Sequence, residues 1–190
     1  YGNHRDLQSF PTRRSSDLLF RQTKGAKNFP VSIAWVSSAF VQTLKWEYPG
    51  RTNYFWSRVD YAHQLLLARK FSGSFSLQIA PTLVHRNLTE STNVANDILS
   101  VAFAARYKLT RRIAITTEYF AVATKNYSPL QNPTHPLSLG VDIETGGHVF
   151  QLHFTNASCM TENGFIPFTT GKWEKGDIQF GFNISRVFKW

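Results

Sequence analysis

Residues 176–190 read GDIQFGFNISRVFKW, and apart from Arg186 every second side chain from Ile178 onward is apolar: Ile178, Phe180, Phe182, Ile184, Phe188 and Trp190. The positions between them carry Asp177, Gln179, Gly181, Asn183, Ser185, Val187 and Lys189. A period of two puts alternate side chains on opposite faces of an extended chain, so this stretch is a strand with one apolar and one mostly polar face.

The pattern repeats upstream. Leu99, Val101, Phe103, Ala105, Tyr107 and Leu109 alternate with Ser100, Ala102, Ala104, Arg106 and Lys108, and Phe75, Leu77, Ile79 and Leu83 with Ser74, Ser76, Gln78, Thr82 and Arg86. Residues 113–124, 137–144 and 149–156 read as strands, residues 31–43 and 54–69 as strands with blurred alternation, and residues 19–22 as a stump. The run Leu65, Leu66, Leu67 also admits a helix over residues 60–70.

Connections alternate strictly in length, with short turns near 23–28, 70–73, 109–111 and 145–147 and long polar loops near 44–52, 88–96, 125–135 and 157–176. That order belongs to an up-and-down antiparallel transmembrane β-barrel with short periplasmic turns and longer outer loops. A Greek-key sandwich has no reason to keep it. About nine strands are visible, and bacterial single-chain barrels have even strand numbers, so the expectation is an N-terminally truncated barrel of about ten to twelve strands or more. The last strand then ends on the periplasmic side, and residues 157–176 open outward.

Composition agrees. With 42% apolar, 15% aromatic and 17% charged residues, the chain is neither disordered nor collagen-like. One cysteine excludes a disulfide scaffold and a multi-cysteine zinc site. The longest apolar runs, Val101–Ala105 and Tyr119–Ala123, fall far short of the ~18 residues of a spanning helix. The net charge of +9 is dispersed among turns, as at Arg13 and Arg14, Arg69 and Lys70, and Lys108, Arg111 and Arg112. No recognition-helix or RNA-binding signature accompanies it, so no nucleic-acid partner is expected.

Residues 9–18, SFPTRRSSDL, resemble at all ten positions the translated end of a common sequencing-library adapter. Residues 1–18 are therefore set aside as a non-native segment, with residues 19–190 forming the barrel domain. Removing the segment takes out three Arg and two Asp and leaves the net charge at +8. No signal peptide is expected within what remains.

The polar face is mostly Ser, Thr, Gly, Ala, Asn and Gln, unlike the Lys- and Glu-rich exterior of a soluble barrel, so it is read as the lumen and the apolar face as lipid-facing. Trp35, Trp46, Tyr48, Tyr54, Trp56, Tyr107, Tyr119, Trp173 and Trp190 fall near strand ends, as an aromatic girdle would. Lysine at Phe103 is then expected to impede insertion, and lysine at Ser100 to be milder. The alternative is a soluble or periplasmic ligand-binding barrel with its apolar face inward.

Lumen candidates are Arg58, Asp60, Arg86, Arg106, Arg112, Glu118, Asp142, Glu144 and His153. The expected role is a small pore, a plugged structural barrel or a binding platform through the long outer loops, and mixed signs in a narrow lumen pair across strands and favour the plugged barrel over the open pore. A second alternative is a hydrolase or acyltransferase built on Ser138, Asp142 and His153, which needs the three within hydrogen-bond reach. No catalytic residue is assigned, because a lone lumen histidine satisfied by neighbours is the commoner case. His148 and His153 fall on opposite strand faces and make a poor metal pair. Thr145, Gly146 and Gly147 form a tight turn, not a phosphate cradle, so neither metal nor cofactor is expected. Cys159 and Met160 lie in the long outer loop, and any small solute is unknown.

Two resemblances sharpen this reading. The terminal run, through Phe182, Ile184, Phe188 and Trp190, looks like the C-terminal strand signal read by the outer-membrane assembly machinery. The segments LFRQTKGAKNFPVS (19–32), YAHQLLLARKFS (61–72), APTLVHRN (80–87), GVDIETGGHVFQLHFTN (140–156) and GDIQFGFNISRVF (176–188) resemble an uncharacterised outer-membrane β-barrel family of Bacteroidota. The likeness runs from about Leu19 to the C-terminus. It implies a membrane barrel with lipid as its surroundings and no established activity.

Overall fold

The computed structural model describes residues 17–20, 31–43, 46, 50, 52–89, 91–130 and 132–186. Nine strands follow one another: β1 (Asp17–Phe20), β2 (Ser32–Val41), β3 (Val59–Lys70), β4 (Phe75–Arg86), β5 (Asp97–Lys108), β6 (Ile113–Val122), β7 (Leu137–Thr145), β8 (His148–Thr155) and β9 (Gln179–Arg186). Their order in the sheet is their order in sequence, all antiparallel, and the sheet curves into a half-barrel. Residues 1–16 of the adapter-like segment lie outside the described residues, as do Phe188 and Trp190 of the terminal run. Asp17 and Leu18 pair with Val36 and Trp35 in the β1–β2 ladder.

Among the described residues the links keep their alternation, and the short turn expected near 23–28 lies outside them. β3–β4, β5–β6 and β7–β8 are joined at one end by residues 71–74, 109–112 and 146–147, and the long connections 42–58, 87–96, 123–136 and 156–178 all lie at the other. Two of the short turns use the same device. Ser72 Oγ accepts from the amides of Ser74 (3.2 Å) and Phe75 (3.0 Å), and Thr110 Oγ1 from those of Arg112 (3.1 Å) and Ile113 (2.9 Å). These hydroxyls supply acceptors where the ladder has stopped. In the third, Gly146 takes φ +60°, which costs glycine nothing.

The two faces differ as the parity requires. Phe103 (44% exposed), Ile115, Leu139, Phe150 and Phe180 (60%) all stand on the outer face. Ala34, Val36, Ala62, Leu66, Ala80, Val84, Ile98, Ala102 and Phe120 are buried within the curve. A soluble barrel with its apolar face inward would reverse this distribution. Roughly half of the inner face is nevertheless apolar, and Ser100 is packed rather than hydrated, 3% exposed with no partner for its hydroxyl. The expectation that lysine would be mild at Ser100 therefore fails, because its charge would be buried in a dry layer.

The helix alternative for residues 60–70 also fails. β3 is paired with β2 along its length and with β4 on either side of Leu65 and Leu66. The β3–β4 register lapses between Gln64↔Thr82 and Leu67↔Ile79, across from Pro81, which has no amide proton to donate. The strand expected over 54–69 begins only at Val59, since Phe55–Arg58 form a 3-10 turn. The outer segment 157–176 is not wholly loop, for Glu162–Phe168 form helix α1.

Candidate functional site

The inner face builds three layers: a lid at the long-loop end, a polar belt toward the short turns, and a chamber between them. The lid is α1. Seven residues with Pro167 inside make a marginal helix on their own, so packing must hold it. Ile166 is completely buried in the cluster formed by Val84, Ile98, Phe120 and Tyr127, and the Phe165 ring meets Phe120 edge-on at 4.9 Å. Burying Ile166 contributes roughly 1.5–3 kcal/mol.

Polar anchors tie the lid to the walls. Asn163 Nδ2 donates to Asp60 Oδ2 at 3.0 Å. The Arg86 guanidinium donates to the carbonyls of Ala95 (3.2 Å) and Tyr127 (3.1 Å) and lies 5.7 Å from the Phe168 ring centre, so one buried cation joins three connections. Asn156, also buried, receives the Leu137 amide at 2.8 Å and donates to the carbonyls of His135 (3.1 Å) and Gly171 (2.9 Å). Burial pushes the Tyr127 phenol above its ordinary range, keeping it neutral where it packs with Ile166 of the lid.

The belt spans β5 to β9, with its residues on four of those five strands. Arg106 Nε on β5 donates to Asp142 Oδ2 on β7 at 3.0 Å, Gln151 Nε2 on β8 to Asp142 Oδ1 at 3.2 Å, and Asn183 Nδ2 on β9 to Gln151 Oε1 at 3.1 Å. β6 intervenes between Arg106 and Asp142, and its residue opposite Asp142 is Ala114, buried and small enough for the guanidinium to pass over.

Between lid and belt lies an open chamber of about 480 Å³, whose wall includes Gln64, Gln78, Glu118, His153, Glu162 and Phe165 and which reaches Phe180 and Phe182 on the exposed face of β9. His153 stands between two glycines, with Gly140 opposite it on β7 and Gly181 on β9. The glycines differ in why they are needed. A Cβ at Gly181 would first meet the His153 ring, whereas one at Gly140 would meet Thr116 Oγ1 at 2.6 Å and the Leu152 carbonyl oxygen at 3.0 Å. A ring can turn aside and a backbone cannot. Gly140→Ala is expected to destabilise by about 1–3 kcal/mol and Gly181→Ala by less, read from urea unfolding in lipid vesicles; the reverse order would contradict this packing.

The lumen candidates thus separate. Asp142, Glu118 and His153 line the chamber, and Arg106 reaches its wall through Asp142. Asp60 on β3 and Arg86 on β4 anchor the lid. Glu144 sits half-buried at the short-turn end of β7. Arg58 is not in the lumen: it lies in the 3-10 turn before β3, its guanidinium 3.9 Å over the Trp46 ring. Arg112 is exposed in a short turn. Ser138, Asp142 and His153 share the chamber, yet Ser138 Oγ donates to Thr155 Oγ1 at 2.9 Å and Asp142 is held by Arg106 and Gln151. Sequence reading missed Glu162, Asn163, Phe165 and Ile166. The signal was present in Phe165–Phe168, an apolar run that a solvated loop does not need.

A family model described as "Membrane bound beta barrel domain (DUF5777)" matches residues 16–188. The chain belongs to this family. No curated protein and no solved structure matches it. The domain is therefore a membrane-bound β-barrel, and exposed Phe, Ile and Leu side chains cover its outer face.

Proposed function

We propose that this domain is an occluded barrel of the bacterial outer membrane, without catalytic activity, whose partners are outer-membrane lipid and, during insertion, the assembly machinery that reads its terminal strand. The observation that carries the reading is Ile166, completely buried on a helix that folds into the lumen. A segment that merely decorated the mouth would keep its apolar residues shallow. The Arg106–Asp142–Gln151–Asn183 belt adds a second constriction. Short turns at one end and long connections at the other support the outer-membrane assignment. The absence of catalysis is supported by Ser138 and Asp142, whose hydrogen bonds go to partners other than His153.

Planar-bilayer recording tests this. The purified protein is expected to be electrically silent, and replacing residues 162–168 with a Gly-Ser linker is expected to produce discrete conductance steps. Steady conduction with α1 intact would overturn the occluded reading.

A further inference from the structure

We propose that His85, carrying both ring protons, is a proton-operated clasp that holds the aromatic 3-10 turn before β3 against the rim of the sheet, and that loss of one proton releases the turn. Tyr54, Phe55 and Trp56 are three consecutive exposed rings at the long-loop end, so packing contributes little to where they lie. Asn87 positions them instead. Its Nδ2 donates to the carbonyls of Trp56 (3.0 Å) and Val59 (2.8 Å), while past the turn the Gln42 amide donates to the Arg58 carbonyl at 2.9 Å.

The protonation of His85 follows from which atoms face it. Carbonyls only accept, so turning the Asn87 amide over would set oxygen against oxygen twice, and the atom 3.1 Å from His85 Nε2 is therefore the amide oxygen. On the other side of the ring, Nδ1 lies 2.7 Å from Asp97 Oδ1. Both neighbours accept, so both ring nitrogens donate, which only the imidazolium does. With one proton gone, the shorter bond to the Asp97 carboxylate keeps the other, and Nε2 meets Asn87 Oδ1 lone pair to lone pair. Turning Asn87 relieves that contact and gives up its hold on Trp56 and Val59.

The titratable groups facing the ring from neighbouring strands are Asp97 on β5 and Tyr61 on β3, whose ring stacks on it at 6.4 Å. Asp60 and Arg86 beside them are engaged in anchoring the lid, and the Arg58 guanidinium lies over Trp46. The clasp is thus complete on the acid side of the His85 titration and is lost as pH rises through it, in the range of about pH 5 to 8 where histidine changes charge.

The test uses the full chain with its five tryptophans replaced by fluorotryptophan, refolded in detergent micelles and followed by fluorine NMR from about pH 5.5 to 9. The Trp56 resonance, assigned with Trp56→Phe, is expected to shift in a single step with pH. Loss of that step is expected in His85→Gln and also in Asn87→Ala, which keeps the titrating ring and cuts its link to the turn. His63→Gln removes the imidazole stacked on Trp35 at 5.8 Å and is expected to leave the Trp56 step in place. A Trp56 resonance that does not move with pH overturns the proposal, as does a step that survives in either His85→Gln or Asn87→Ala, or one that disappears with His63.

Discussion

Arg106→Met is expected to lower the unfolding free energy by about 3–5 kcal/mol, the usual loss when one partner of a buried ion pair is removed. The reason lies in what remains behind. Asp142 is 5% exposed at its side chain and lies 3.0 Å from Arg106 Nε, and without the guanidinium only Gln151 would hydrogen-bond its charge. Arg106 and Asp142 are two strands apart, so the pair bridges β5 and β7 over β6 and helps fix the curvature of the sheet. The double variant Arg106→Met, Asp142→Leu removes both charges and is expected to recover most of the loss, because apolar replacement of a whole buried pair is often neutral. Urea unfolding of vesicle-embedded protein, followed by tryptophan fluorescence, measures both. An Arg106→Met cost within about 1 kcal/mol of zero would show the pair to be solvated like a surface one.

The second large effect is expected on the opposite face. Phe103 sits at mid-strand on β5 between Ile79 of β4 and Tyr119 of β6, 44% exposed and directed away from the lumen. Phe103→Lys puts an ammonium in the hydrocarbon layer and is expected to cost roughly 2–4 kcal/mol of insertion free energy. The matched control is Ser185→Lys on β9, which follows inward-facing Gly181 and Asn183 in parity and is exposed; its effect is expected to be a small fraction of that. Refolding yield into vesicles and urea titration of the inserted fraction check the pair. Equal losses at the two positions would contradict the face assignment.

Strand existence and sidedness were legible because both depend on nearest neighbours in sequence. Phe180, Phe182 and Ile184 alternate with Gly181 and Asn183, and the backbone geometry of a strand converts that alternation into two faces wherever the strand sits. The three described short turns were equally legible, since Ser72, Thr110 and Gly146 act on amides or dihedrals within three residues of themselves. The candidate site was legible only in part. Asp142 and His153 could be placed because the two-residue turn at 146–147 sets the β7–β8 register by counting. Arg58 was misplaced because blurred alternation gave no sign that residues 55–58 leave the extended conformation.

By itself the sequence determined a meander of two-faced strands, which residues share a face, and at which end the long connections gather, all consequences of a period of two and of local turn chemistry. Tertiary structure alone decided that α1 folds into the lumen, that Arg106 reaches across β6 to Asp142, and that Glu118 and Glu162 line one cavity. Each of these joins residues more than twenty-five positions apart, and depends on how far the sheet curves and how long a side chain reaches. Curvature is set by all the strands together, so no single stretch of sequence carries it.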